Sequence, residues 1–241
     1  MKLDILAFGA HPDDIELTCS GTLIRHIDMG YRVGLVDLTR GELGTRGTAE
    51  IRDREAAEAA RLMGAEVREN MAFEDGFFVN DKEHQLAVIK MIRRYKPHVV
   101  FANVPRDRHP DHGRGSSLVT EGAFLSGLKK IETEDKNGLQ QHWRPQAVYH
   151  YLQAYYFDPD FVVDISDYME DKIKTIKAYK SQFYTDDPQY EQEEQTFISD
   201  PRFMDFIYSR ATQMGKHIGA EYAEGFLTDR FPGVPDVMEL S

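Results

Sequence analysis

Apolar and polar positions come in alternating blocks along the first half of the chain. Leu3–Ala10 is a nearly continuous apolar run, as in a strand covered on both faces. Ser20–Met29 changes to helical spacing and closes at Gly30, and Tyr31–Leu38 is strand-like again. Thr48–Met63, rich in Ala, Glu and Arg, predicts a helix stopped by Gly64. Ala65–Met71 predicts a third strand, and Lys82–Tyr95 a helix ended by Lys96-Pro97. His98–Asn103, "HVVFAN", predicts a fourth strand, and Ser116–Lys130 a further helix. Residues 131–145 are polar and predict a loop. Ala147–Tyr156 and Phe161–Asp164 predict later strands, Ile165–Ser181 and Pro201–Gly219 helices, and the acidic stretch 185–200 an exposed segment.

Strands and helices alternating at this spacing imply right-handed crossovers. The expected fold is α/β: a Rossmann-like open, mostly parallel sheet with helices on both faces. No linker, repeat or low-complexity tract interrupts it. One domain is expected over 1–241, with a core over 1–184 and a C-terminal elaboration over 185–241.

Composition narrows the functions. The 241 residues are 41% hydrophobic, enough for a sizeable core. The net charge of −12 argues against nucleic-acid binding, which needs a basic surface. A small anionic substrate is still compatible, because a few local arginines suffice for it. No apolar run approaches the ~20 residues that span a bilayer, so no membrane partner is expected. "MKLDILAFGA" is too short for a signal peptide and runs on as the first strand. Cys19 is the only cysteine, which precludes an internal disulfide and fits a reducing cytoplasm. No base stands beside it in the sequence, so it reads as a small buried residue.

In open α/β sheets, ligands bind beyond the carboxyl ends of the strands. Two polar clusters fall there. His11-Pro12-Asp13-Asp14 follows the first strand, and "RDRHPDHGR", Arg106 to Arg114, follows the fourth. Together they offer imidazoles and carboxylates, the mixed donor set that suits zinc. Asp13 and Asp14 alone read equally well as helix caps; a second His-Pro-Asp unit at another strand end favours the metal. No G-x-G-x-x-G follows the first strand, so a dinucleotide site lacks support.

"AHPDD" and "HPDH" resemble the paired motifs of the zinc-dependent N-acetylglucosamine deacetylases related to the PIG-L and LmbE proteins. "VDLTRGELGTRGTAEIRDREAAEAARLMG", "DGFFVND", "DRHPDHGR", "VVDISD" and "YKSQF" are similar to the bacillithiol-biosynthesis deacetylase branch. The likeness covers most of residues 1–184. It implies that His11, Asp14 and His112 hold the metal and that Asp13 is the general base. It also implies that His109 supports the oxyanion, with Asp111 as the natural partner to hold it oriented and cationic. Arg52 matches an arginine that faces the family's site; the competing reading is a solvated ion pair with Glu55. Arg40, Arg46, Arg106 and Arg108 are the candidate contacts to substrate, with Arg46, Arg106 and Arg108 foremost beside Arg52. Iron(II) fits the same donor set as zinc.

The resemblance implies removal of acetate from N-acetylglucosaminyl-malate, a step of bacillithiol synthesis, by a cytoplasmic homo-oligomer acting on a small anionic N-acetyl sugar conjugate. Another N-acetylated sugar is the alternative: a chitin fragment, or a mycothiol-type or antibiotic precursor. A sugar-binding module without turnover is a third reading. A two-metal phosphatase would need more ligands than these motifs supply.

Overall fold

β1 (Ile5–Gly9) and β2 (Val33–Thr39) are buried at every position, which is why both read as unbroken apolar runs. The computed structural model describes residues 1–187, 190 and 193–239. β3 (Val67–Phe73), β4 (Val99–Ala102), β7 (Ala147–Tyr151), β8 (Phe161–Asp164) and β9 (Ala223–Thr228) complete a seven-stranded sheet in the order β3-β2-β1-β4-β7-β9-β8. β1 pairs in parallel with β2 and β4, β2 with β3, and β4 with β7. β9 is antiparallel to both β7 and β8. Strand order reverses between β1 and β4, and such a switch point opens a crevice at the carboxyl edge.

Leu6, Phe8, Val36, Leu38 and Val100 face one side, against Val88 and Ile92 of α4 (Lys82–Tyr95) and Leu118 and Val119 of α5 (Pro110–Leu125). Ile5, Ala7, Val33 and Leu35 face the other, against Leu23 of α2 (Ser20–Asp28) and Ala60 and Met63 of α3 (Ala49–Met63). Burying each large side chain contributes ~1.5–3 kcal/mol, so these two layers dominate the stability. α6 (Met169–Lys177) and α7 (Arg202–Gly215) pack with Ala56 and Ala59 of α3 in a third cluster.

The expected architecture holds, with differences of detail. A five-residue helix, α1 (Asp14–Thr18), begins inside the first motif. α5 starts at Pro110 rather than Ser116, because His109 caps it and Pro110 occupies its first turn. The polar loop carries a short hairpin, β5 (Glu134–Asp135) with β6 (Gly138–Leu139), and β7 stops at Tyr151. β9 lies inside the sheet between β7 and β8, so the residues past 184 include part of the core. Within 185–200, Tyr190 and Ser199 are buried, and the segment is not simply an exposed acidic tract.

Candidate metal centre and active site

Both motifs converge at the switch point. His11 leaves the end of β1, while His109 caps α5 and His112 sits in that helix's first turn. The ring centroids of His11 and His109 are 4.6 Å apart, and those of His109 and His112 are 5.3 Å apart. The three imidazoles each place a ring nitrogen within 4.8 Å of the others.

Asp14 is buried between two of these rings. Its Oδ2 lies 3.6 Å from His11 Nδ1, and its Oδ1 lies 3.2 Å from His112 Nε2. The same carboxylate accepts from the His11 backbone N–H and from the side chains of Asn103 and Gln153, each at 3.0 Å. Burial works against its charge, yet His112 and His11 outweigh it and hold the carboxyl well below the usual range. The second nitrogen of each imidazole is also committed. His112 Nδ1 is 2.6 Å from Asp107 Oδ2, and His11 Nε2 is 3.1 Å from Asp75 Oδ1 and 3.3 Å from Asp111 Oδ2. Burial alone would lower both imidazoles. The carboxylates prevail, raising His11 well above its ordinary value and His112 to about 9. Two rings therefore aim one nitrogen each at one carboxylate, in a pocket that demands positive charge. That donor set fits a divalent cation bound by imidazole and carboxylate.

Asp13 is also buried but faces differently. Arg52 Nη2 donates to its Oδ2 at 3.0 Å and also to the Pro12 carbonyl, while Arg52 Nη1 reaches the Gly41 carbonyl at 3.3 Å. Gly41 has φ 65°, and a Cβ there would lie 2.1 Å from Arg52 Nη1, so only glycine lets this loop close on the guanidinium. Burial pushes the Asp13 carboxyl up to about 7, against the opposing pull of Arg52. Neither aspartate makes a side-chain cap on α1. The Arg52–Glu55 pair does not form; Glu55 instead accepts from the backbone and hydroxyl of Ser181, both at 2.7 Å.

Asp111 corrects an expectation. Its carboxylate does not hold His109; it faces His11 Nε2, accepts from Gly76 N–H at 2.8 Å and lies 2.9 Å from Arg114 Nη1. His109 Nδ1 accepts the Asp111 backbone N–H at 3.3 Å, as the N-cap of α5. That bond places the ring proton on Nε2. Burial, then the charges of His11 and His112, lower its pKa, which works against the cation expected.

The cluster opens into a cavity of about 250 Å³ lined by His11, Asp13, Asp14, Arg52, His109 and His112, with Arg108, Leu43 and Gln182 at its sides. Of the candidate arginines, Arg52 and Arg108 line it. Arg46 is buried and paired with Glu193 at 3.1 Å, beside a neighbouring cavity. Arg106 lies over Tyr155 and Phe157, and Arg40 pairs with Glu50 and Asp53. Sequence reasoning passed over Asp75, Asn103, Asp107 and Gln153. The first three sit beyond β3 and β4, in or beside quoted motifs, and strand-end position was their available signal. Gln153, past the end of β7, carried none. His150 is buried against Asn103 O and Ser116, and Cys19 is buried, both as packing residues.

Residues 6–123 match the family described as PIG-L, GlcNAc-PI de-N-acetylase. N,N'-diacetylchitobiose deacetylase from Pyrococcus horikoshii is 30% identical, with a TM-score of 0.79 over 93% of this chain and 83% of that one. The chain belongs to the PIG-L family of de-N-acetylases. It is thus a hydrolase acting on an N-acetyl amide. A conserved protein from Thermus thermophilus, TT1542, is similar over 97% of this chain and 98% of that one, with 35% identity and a TM-score of 0.85. A probable N-acetyl-alpha-D-glucosaminyl L-malate deacetylase 2 from Bacillus anthracis is 24% identical over 75% of this chain and 82% of its own length. Similarity is thus greater to the chitobiose enzyme than to this malate enzyme, and it establishes the family rather than the branch. Among the described residues, no helix of this PIG-L protein is long and apolar enough to cross a membrane.

Proposed function

We propose that this protein removes acetate from an N-acetylglucosamine glycoside whose other half carries a carboxylate, with N-acetylglucosaminyl-malate as the substrate. His11, Asp14 and His112 would hold zinc. The bound ion would supply Lewis acidity toward the amide carbonyl and an acidified water.

The chemistry rests on one observation: of two adjacent buried carboxylates, one is held charged between imidazoles and the other lies near neutrality. Asp14 stays an anion and suits a ligand. Asp13, at about 7, can take a proton from the attacking water and return it to the departing amine at similar cost. Arg52 fixes its orientation. His109 faces the same cavity with Nε2–H as donor, where the carbonyl oxygen gains charge. Asp111 acts on His11 rather than on His109.

Arg108 supports the anionic substrate. It is exposed at the cavity wall, and its guanidinium has no acidic partner among the described residues. A second reading, diacetylchitobiose, is favoured by the higher identity to the Pyrococcus horikoshii enzyme. Acetate release from the malate conjugate, diacetylchitobiose and free N-acetylglucosamine separates them. The malate reading expects the conjugate to turn over fastest and Arg108→Ala to raise its KM ~10-fold or more, the scale of a charge-assisted contact, with no change for diacetylchitobiose. Faster turnover of diacetylchitobiose by the unaltered protein refutes it. A cytoplasmic homo-oligomer as the working form belongs to the same proposal and is checked by solution mass at assay concentration.

A further inference from the structure

Asp75 occupies a place that the catalytic scheme leaves unused. It follows β3, outside both His-Pro-Asp motifs, and is buried. Its two carboxylate oxygens are divided. Oδ1 faces His11 Nε2 at 3.1 Å, while Oδ2 accepts the backbone N–H of Leu43 at 2.9 Å. Its own backbone N–H donates to Glu42 Oε1 at 2.9 Å. Glu42 and Leu43 belong to the tight turn closed by Gly44 N–H to Gly41 O at 3.0 Å, and Leu43 and Gly44 line the cavity. Leu43 is 63% exposed, so its side chain anchors the turn little; these hydrogen bonds hold it to the body together with Arg52 and Thr39 at Gly41. One carboxylate therefore bridges a metal-facing imidazole and the loop at the cavity's side.

We infer that Asp75 is a positioning residue that joins the metal centre to the 41–44 turn, fixing His11 with its proton on Nε2 and setting the turn for substrate. Asp75 Oδ1 at 3.1 Å and Asp111 Oδ2 at 3.3 Å both face Nε2, keeping the proton there and leaving Nδ1, the nitrogen nearest Asp14, as the electron-pair donor; of the two carboxylates, Asp75 also reaches the turn. An asparagine of the same shape cannot serve both neighbours. Whichever way its amide turns, an NH₂ meets either the His11 Nε2–H or the Leu43 N–H. The bridge needs two acceptor oxygens, and only the carboxylate has them.

This inference rests on His11 being a metal ligand, and the test separates the two. Zinc affinity of the purified protein is measured by competition with a chromophoric chelator, alongside deacetylation kinetics and amide exchange at residues 42–44. Unaltered protein that binds no zinc, or an H112A variant that binds it undiminished, overturns the metal site itself. If zinc binds normally, Asp75→Asn is expected to weaken affinity ~10–100-fold, as loss of a carboxylate behind a ligating imidazole does. It should also raise KM and speed exchange at Leu43. Affinity within twofold of the unaltered protein overturns the inference and leaves the metal site standing. Glu42→Ala provides an independent arm, since Glu42 is exposed and touches the bridge only from the loop side, and alanine removes the acceptor of the Asp75 N–H. It is expected to raise KM with kcat unchanged; an unchanged KM overturns the link to the turn.

Discussion

Asp13 has φ 108°, a left-handed conformation that costs a non-glycine residue ~1–2 kcal/mol. The strain is held by Arg52, which donates to both the Pro12 carbonyl and the Asp13 carboxylate. It turns one aspartate toward the cavity while its neighbour faces the imidazoles. Asp13→Ala and Asp13→Gly both remove the carboxylate, and each should lower kcat ~10²–10⁴-fold while keeping zinc. Their stabilities should differ in an unusual sense. Glycine relieves the strain, so the Gly variant is expected to be ~1–2 kcal/mol more stable than the Ala variant in urea unfolding. Equal stabilities would mean that the backbone relaxes without the carboxylate. At this scale the sequence singled out His11, Asp13, Asp14, His109 and His112, which the structure brings to one cavity. It could not tell that Asp111 serves His11, since partners of buried carboxylates are chosen by packing.

At the scale of elements, α5 explains why the second motif works. Two glycines, Gly113 and Gly115, depress its helix propensity and shifted the expected start to Ser116. Yet His109 and Pro110 are a strong beginning, with Asp111 in the first turn. The crossing of α5 over α4 sets where His112 lies. A Cβ on Gly122 would meet Val88 Cγ1 at 2.6 Å. Helix propensity alone would make Gly122→Ala stabilising by ~1 kcal/mol, whereas overpacking costs ~1–3 kcal/mol. Net destabilisation is expected, with the sign reversed in a Val88→Ala background; thermal melts of the four proteins check this. β3 is tied in by charge instead. Arg68 reaches Asp37 twice at 2.7 Å and Glu16 at 2.5 Å, and both carboxylates are buried. Arg68→Leu would leave both the β2 and the α1 carboxylate buried without their partner and should cost ~3–5 kcal/mol in chemical denaturation.

Over the whole molecule, residues far apart in sequence share one sheet. β9 separates β7 from β8 and carries Glu224, which pairs with Lys172 at 2.7 Å and accepts from Gly21 and Thr22 N–H. Truncation after Gly219 is expected to abolish cooperative unfolding, because β7 and β8 lose their common neighbour. Truncation after Arg230 removes a segment whose Phe231 is 99% exposed and should leave the melting temperature unchanged. Zinc at ~100 times its Kd would stabilise the fold by ~2.7 kcal/mol. For a chain of this size that is roughly 5–10 °C in Tm, abolished by a chelator and absent in His112→Ala.

The sequence by itself determined the α/β class, the strands β1 to β4, β7 and β8, and the two clusters at the ends of β1 and β4. Those depend on local periodicity and on the rule that strand ends carry the ligands. Tertiary structure decided the rest. β9 holds a glycine and a glutamate that is buried only because Lys172 pairs with it, so its pattern does not read as a strand. The 41–44 turn and Asp75 meet only because β2 and β3 are adjacent in the sheet. Which nitrogen of each imidazole faces Asp14 follows from carboxylates brought in by other loops. No spacing along the chain encodes those distances, because they are set by how the layers pack.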